Sequence, residues 1–224
     1  MKVRIPKNWD PLGDSFVLTK ADIEQQVSND LGRFRSEYGQ KFGVAPSEIL
    51  DVETFVSVLW GFAVVYEEIE QVAGEETLGT LRPETQNVVV DSRCIHHGRL
   101  SFTIAHEVGH LSLHGPLFRR ENNKIIGWAT TIGKRNKKKD GASYARREWQ
   151  ANVYAGALLA PRTEVVELLR EIGAVSFLTA NSFSLDEHFD KFENKFGLSR
   201  QALEIRLDHL GLPFTGRRYV QMSV

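Results

Sequence analysis

The tightest constraint on this chain is the stretch HEVGH at positions 106–110. Two histidines four residues apart share one face of a helix, because successive residues turn by about 100° around the axis. His106 and His110 can therefore present two imidazoles to one point, and neutral imidazole nitrogens suit zinc. Glu107 is rotated away from the pair and stands beside such an ion instead of binding it. There it can take a proton from the attacking water and return it to a leaving amine. Gly109 is small and is expected to leave room for a substrate strand to approach.

A catalytic zinc needs a third protein ligand and an open fourth position. One zinc-protease pattern places a glycine three residues and a histidine six residues after the second histidine. Here those positions hold Leu113 and Pro116, so that pattern fails. A second pattern takes a glutamate from a later helix, and Glu148 in REWQANVYAGALLAP fits it. Asn152 lies one turn further along the same face, where it can hydrogen-bond a ligand histidine. Ala151, Ala155 and Gly156 are small and let this helix approach the HEVGH helix closely. Taken alone, Glu148 reads more simply as a solvated residue on an amphipathic helix; beside HEVGH the ligand reading gains weight.

The rest of the chain bounds the setting. Its 224 residues are 42% hydrophobic, enough for one good core. The formal net charge of -1 gives no general attraction for nucleic acid or an acidic membrane. A single cysteine, Cys94, excludes an internal disulfide framework and a cysteine-based zinc site. No apolar run approaches the roughly 18 residues of a membrane span, and no apolar segment follows the basic N-terminus. A cytoplasmic protein is expected.

Thr19 can cap a helix in which Ile23, Val27, Leu31 and Phe34 recur at helical spacing. Pro46 and Ser47 are expected to start a second helix, ended by Gly61. AVVYEEIE, TLGTLRP and NVVVDS read as strands of a small antiparallel sheet. Residues 117–146 lack apolar periodicity and read as a loop or insert with the basic run KRNKKKD at 134–140; such a run is usually a solvated face. Helices follow over REWQANVYAGALLA and RTEVVELLREIG. A final helical pair surrounds a tight turn at Gly197–Ser199. The expected division is an N-terminal helical extension over 1–46, a core over 47–175 and a C-terminal helical segment over 176–224.

The blocks RLSFTIAHEVGHLSLHG and EWQANVYAGALLAP resemble, in order, the two motif blocks of the ImmA/IrrE metallopeptidase family. LGTLRPETQNVVVDS is similar to that family's strand–turn–strand lead-in, and KFGLSRQALEIRLDHLGL to the helix-turn-helix-like segment that often follows. The resemblance implies an α+β, zincin-like (gluzincin-type) fold with a small sheet packed on the HExxH helix. It implies one zinc per chain held by His106, His110 and Glu148, with Glu107 as general base. It also implies a protein substrate, such as a repressor of the helix-turn-helix type, in mobile elements or stress responses; other members accompany such repressors in toxin–antitoxin pairs.

Three further residues are candidates for substrate or oxyanion contacts. His114, one turn beyond His110, could stabilise a developing oxyanion or simply cap the helix. Tyr144 and Arg147 precede Glu148 and could donate to a tetrahedral intermediate, or lie on the surface. The C-terminal pair resembles a DNA reader in pattern, but its mixed charge favours packing or partner docking, and direct nucleic-acid binding is not expected. The leading reading is a zinc endopeptidase. Its rivals are a non-cleaving binding or antitoxin partner and a DNA-binding regulator.

Overall fold

The computed structural model describes residues 9–10, 15–71, 77–94, 97–115, 118–122, 124–128, 141–174 and 182–218. The basic run 134–140 lies outside the described residues. Helix α1 (Lys20–Phe42) starts where Thr19 caps it. Asp22 N donates to Thr19 Oγ1 at 3.2 Å, and Thr19 N donates to the Asp22 carboxylate at 2.8 Å. The reciprocal pair satisfies two amides that a helix start leaves open. Ile23, Val27, Leu31 and Phe34 are buried as one stripe. Burial of each such side chain contributes about 1.5–3 kcal/mol. They share one apolar cluster with the later helices, so α1 helps build the core.

Helix α2 (Val52–Trp60) begins later than the Pro46–Ser47 signal suggests. The Asp51 carboxylate accepts from Glu53 N at 3.0 Å and Thr54 N at 3.3 Å, which sets the start there. Gly61, at φ 69°, ends the helix as expected. Strands β3 (Ala63–Glu67), β4 (Gly79–Arg82) and β5 (Asn87–Asp91) follow the expected positions. The sheet, however, is mixed and not purely antiparallel. Its order is β3-β5-β4, with β3 parallel to β5 and β4 antiparallel to it. The physical reason lies in NVVVD: Val88, Val89 and Val90 are each fully buried. A strand without polar alternation is covered on both faces and takes the sheet's centre.

Helix α3 (His97–Leu113) carries HEVGH. The segment after it contains more structure than its composition suggests. Strands β6 (Phe118–Glu121) and β7 (Lys124–Trp128) form an antiparallel hairpin with an irregularity between Arg119 and Arg120. Phe118 and Ile125 of the hairpin are buried, and its bulge breaks the alternation that a regular strand would show in the sequence. Helix α4 (Gly141–Leu159) also begins inside the segment expected to be irregular. Helix α5 (Arg162–Glu171) follows Pro161.

Helices α6 (Leu185–Phe196) and α7 (Arg200–Leu210) flank the Gly197 turn as expected. Gly197 is left-handed at φ 62°, and Ser199 Oγ accepts from Ala202 N. Short pairings β1 (Trp9–Asp10) with β2 (Ser15–Phe16), and β8 (Phe183–Ser184) with β9 (Phe214–Thr215), complete the described elements. Cys94 is buried, as an ordinary small core residue would be. No helix among the described residues is long and apolar enough to cross a membrane.

Two polar links bind distant elements. The buried Asp30 carboxylate of α1 accepts from Tyr154 Oη of α4 at 2.8 Å and from Ser112 Oγ of α3 at 2.5 Å. Burial and the Asp30 charge hold the Tyr154 phenol well above its ordinary pKa, so it stays a donor. The fully buried Arg206 of α7 pairs with Glu24 of α1 and donates to Ala160 O at 2.9 Å.

Candidate metal centre

Helices α3 and α4 meet at glycine and alanine. A Cβ on Gly109 would lie 3.0 Å from Ala151 Cα and 3.1 Å from Ala151 O. Gly109 therefore admits the neighbouring helix, and the expectation that it receives a substrate strand is corrected. Ala151 plays the expected spacing role. Gly156 instead faces Arg206 of α7, where a Cβ would lie 3.4 Å from the arginine Cδ.

This close approach brings three ligand atoms together. His106 Nε2 and His110 Nε2 are 3.2 Å apart. Glu148 sets its oxygens 3.3 Å from the first and 3.5 Å from the second. One ligand atom from each residue falls within a 4.8 Å cluster. Zinc bonds these atoms at about 2.0–2.2 Å, so ligands on tetrahedral zinc stand about 3.3 Å from one another. The observed spacings match that edge length. The two histidine side chains are 14% exposed and Glu148 is 26% exposed, so the cluster is partly accessible.

Hydrogen bonds orient the rings. His106 Nδ1 lies 2.9 Å from Asn152 Oδ1. An amide oxygen only accepts, so His106 holds its proton on Nδ1 and turns the Nε2 lone pair to the cluster. Asn152 thus occupies the expected orienting position. Burial opposes a charged His106, but Glu148, Glu107 and Asn152 outweigh it and raise its pKa above the ordinary value. Glu107 is buried beneath the start of β4, where a Cβ on Gly79 would meet its Oε1 at 3.3 Å and Thr103 Cγ2 at 2.6 Å. The sheet can touch this helix only because Gly79 has no side chain.

The three additional candidates do not meet at the opening. His114 is 1% exposed and lies behind His110, with Nδ1···Nδ1 of 3.0 Å, and its Nε2 is 2.9 Å from Gln150 Oε1. Burial lowers its pKa to about 4. Offered as a substrate or oxyanion contact or as a helix cap, it is an interior residue just past the end of α3. Arg147 is buried too and donates to Ser143 Oγ at 2.9 Å. Tyr144 is half-buried. Neither Tyr144 nor Arg147 lines the cavity beside the cluster. That cavity of about 740 Å³ borders Glu148 and Asn152 and is walled by Leu78, Phe102, Trp149 and Ile205. Sequence reasoning missed Gln150 and Gly79. Gln150 shares a helix with Glu148, but its partner depends on how α3 and α4 cross.

A search of curated proteins returns no match. Among solved structures, a Mycobacterium tuberculosis transcriptional regulator is similar in fold, with a TM-score of 0.50 at 14% sequence identity. The likeness covers 90% of this chain and 58% of that one, so the chain spans little more than half the regulator's length. The model of the M78 peptidase family, described as the IrrE N-terminal-like domain, matches residues 61–208, a segment that contains β3 through most of α7. By that match, the chain belongs to the family of IrrE N-terminal-like domains.

Proposed function

We propose that this chain is a zinc-dependent endopeptidase of zincin-like, gluzincin-type architecture, acting on a protein substrate. The carrying observation is the set of ligand spacings among His106, His110 and Glu148, 3.2, 3.3 and 3.5 Å, on a histidine–histidine–glutamate donor set. Bound zinc would activate water and polarise the scissile carbonyl. His106, His110 and Glu148 would hold it, with Asn152 orienting His106. Glu107 takes the proton of the attacking water and passes it to the leaving amine. Its burial beside Gly79 keeps bulk water from competing for that proton. The apolar cavity next to Glu148 is large enough to receive substrate side chains. The resemblance in motif order supports a regulatory role, with a repressor of the helix-turn-helix type as the substrate to try first.

The test combines zinc stoichiometry with cleavage. Wild-type protein is expected to hold about one zinc per chain, Glu148→Ala to hold much less, and Glu107→Gln to keep zinc while losing cleavage by about 10²–10⁴-fold. A wild-type protein that refuses zinc sinks the reading. Zinc retained together with equal substrate binding and no cleavage in either wild type or Glu107→Gln would favour the non-cleaving partner. The DNA-binding alternative loses ground on the C-terminal pair itself. Arg206 is fully buried against Glu24, and Arg200 pairs with Asp186 and Glu204, so both guanidinium groups are already engaged.

A further inference from the structure

His106 and His110 stand one turn apart on α3, and His114, just past its end, meets a glutamine of α4. Gln150 Oε1 lies 2.9 Å from His114 Nε2. An amide oxygen only accepts, so His114 Nε2 carries a proton. His114 is 1% exposed, and burial favours its neutral ring. A neutral imidazole has one N–H, so His114 Nδ1 offers a lone pair. His110 Nδ1 stands 3.0 Å from it. Two ring nitrogens at that distance need one proton between them, and His110 must supply it. His110 Nε2 is then left with its lone pair, facing His106 Nε2 at 3.2 Å and Glu148 Oε1 at 3.5 Å.

We propose that Gln150 and His114 are positioning residues that fix His110 in its Nδ1–H tautomer, so that Nε2 is preset to bind a divalent cation such as zinc. The inference rests on the metallopeptidase reading and goes beyond it, because it assigns a chain of proton placement reaching from a buried amide to a ligand atom. The chain has a direction. A donor amide at Gln150 would reverse both rings and put a proton on the nitrogen that faces the cluster. The crossing of the helices explains why one helix can orient both histidines. Asn152 and Gln150 are two residues apart, about 200° around the α4 axis, and so reach past opposite sides of the Ala151 contact. Asn152 takes His106 directly at the partly exposed side. Gln150 takes His110 through His114 in the interior.

Two measurements test this. In long-range ¹H–¹⁵N spectra of the zinc-loaded protein, the His114 proton is expected on Nε2 and the His110 proton on Nδ1. In zinc competition against a chelating dye, Gln150→Leu is expected to weaken binding about 10–100-fold. A melting curve reports whether the variant remains folded. A His114 proton found on Nδ1 overturns the proposal, as does a folded Gln150→Leu that binds zinc as tightly as wild type. If Gln150→Leu does not fold, the wild-type spectrum decides alone. Wild-type protein that binds no zinc overturns the metallopeptidase reading, and the positioning role with it, a result distinct from either of the others.

Discussion

A methyl group placed on Gly109 tests how the two ligand-bearing helices meet. In Gly109→Ala the new carbon would lie 3.0 Å from Ala151 Cα, 3.1 Å from Ala151 O and 3.2 Å from Tyr154 Cβ. Carbon atoms rest at about 3.5–4.0 Å from each other, so α4 must retreat by roughly 0.5 Å. None of the three atoms is the free end of a flexible side chain, so no rotamer change relieves the contact. Overpacking of this kind costs about 1–3 kcal/mol. Alanine regains about 1 kcal/mol over glycine within a helix. The expected balance is a loss of about 0–2 kcal/mol in urea unfolding. Metal binding should respond more strongly, because ligand distances tolerate only about 0.2 Å. A displaced Glu148 should weaken zinc binding about tenfold or more. Gly32 supplies the control. It lies exposed on α1 with nothing within 4 Å of its Cβ position, so Gly32→Ala should gain about 1 kcal/mol and leave zinc binding unchanged. If Gly109→Ala is stabilised like Gly32→Ala and binds zinc normally, the helices do not meet as described.

Other variants probe the remaining links. Tyr154→Phe removes one donor from the buried Asp30 carboxylate and should cost about 1–3 kcal/mol by urea unfolding, with zinc content unchanged. Arg206→Ala leaves Glu24 without its partner, frees the Ala160 carbonyl and empties a buried volume; a loss of about 3–5 kcal/mol is expected, and a near-neutral result would refute the burial of that pair. His209, lowered to about 4 mainly by burial and then by Lys20 and Arg206, gives a pH signature. Its unfolded form takes up a proton near pH 6.5, before the folded form does, so stability should fall as pH drops from about 6.5 towards 4. His209→Gln should flatten melting temperature over that window, and an unchanged slope would remove His209 as the cause.

Local signals carried much of the fold. Thr19, Gly61, Gly197 and Ser199 mark helix ends through bonds made within a turn, and such bonds are written in neighbouring residues. His106 and His110 face together because helix geometry alone requires it. Glu148 and Asn152 were legible as a pair one turn apart, although the distance between their helix and α3 was not. What stayed hidden depends on pairing across long separations. The parallel match of β3 with β5 follows from which strand is buried on both faces, and three consecutive valines signal that only once the sheet is assembled. The β6–β7 hairpin is interrupted by a bulge that breaks the strand alternation. The partner of Gln150 is fixed by a helix crossing, and Arg206 meets Glu24 across 182 residues of chain. His114 shows the same limit: its place one turn beyond His110 was evident, but which neighbour it faces came only from packing.

The reach of α1 bears on where this protein can be cut. The family match begins at residue 61, whereas Glu24 and Asp30 lie well before it. A chain trimmed to the match would leave the Arg206 guanidinium, the Tyr154 hydroxyl and the Ser112 hydroxyl without their carboxylates, and would uncover the apolar surface now sheltered by Ile23, Val27, Leu31 and Phe34. The segment that identifies the family is thus smaller than the packed unit, and removal of α1 would act less like loss of a leader than like withdrawal of a wall.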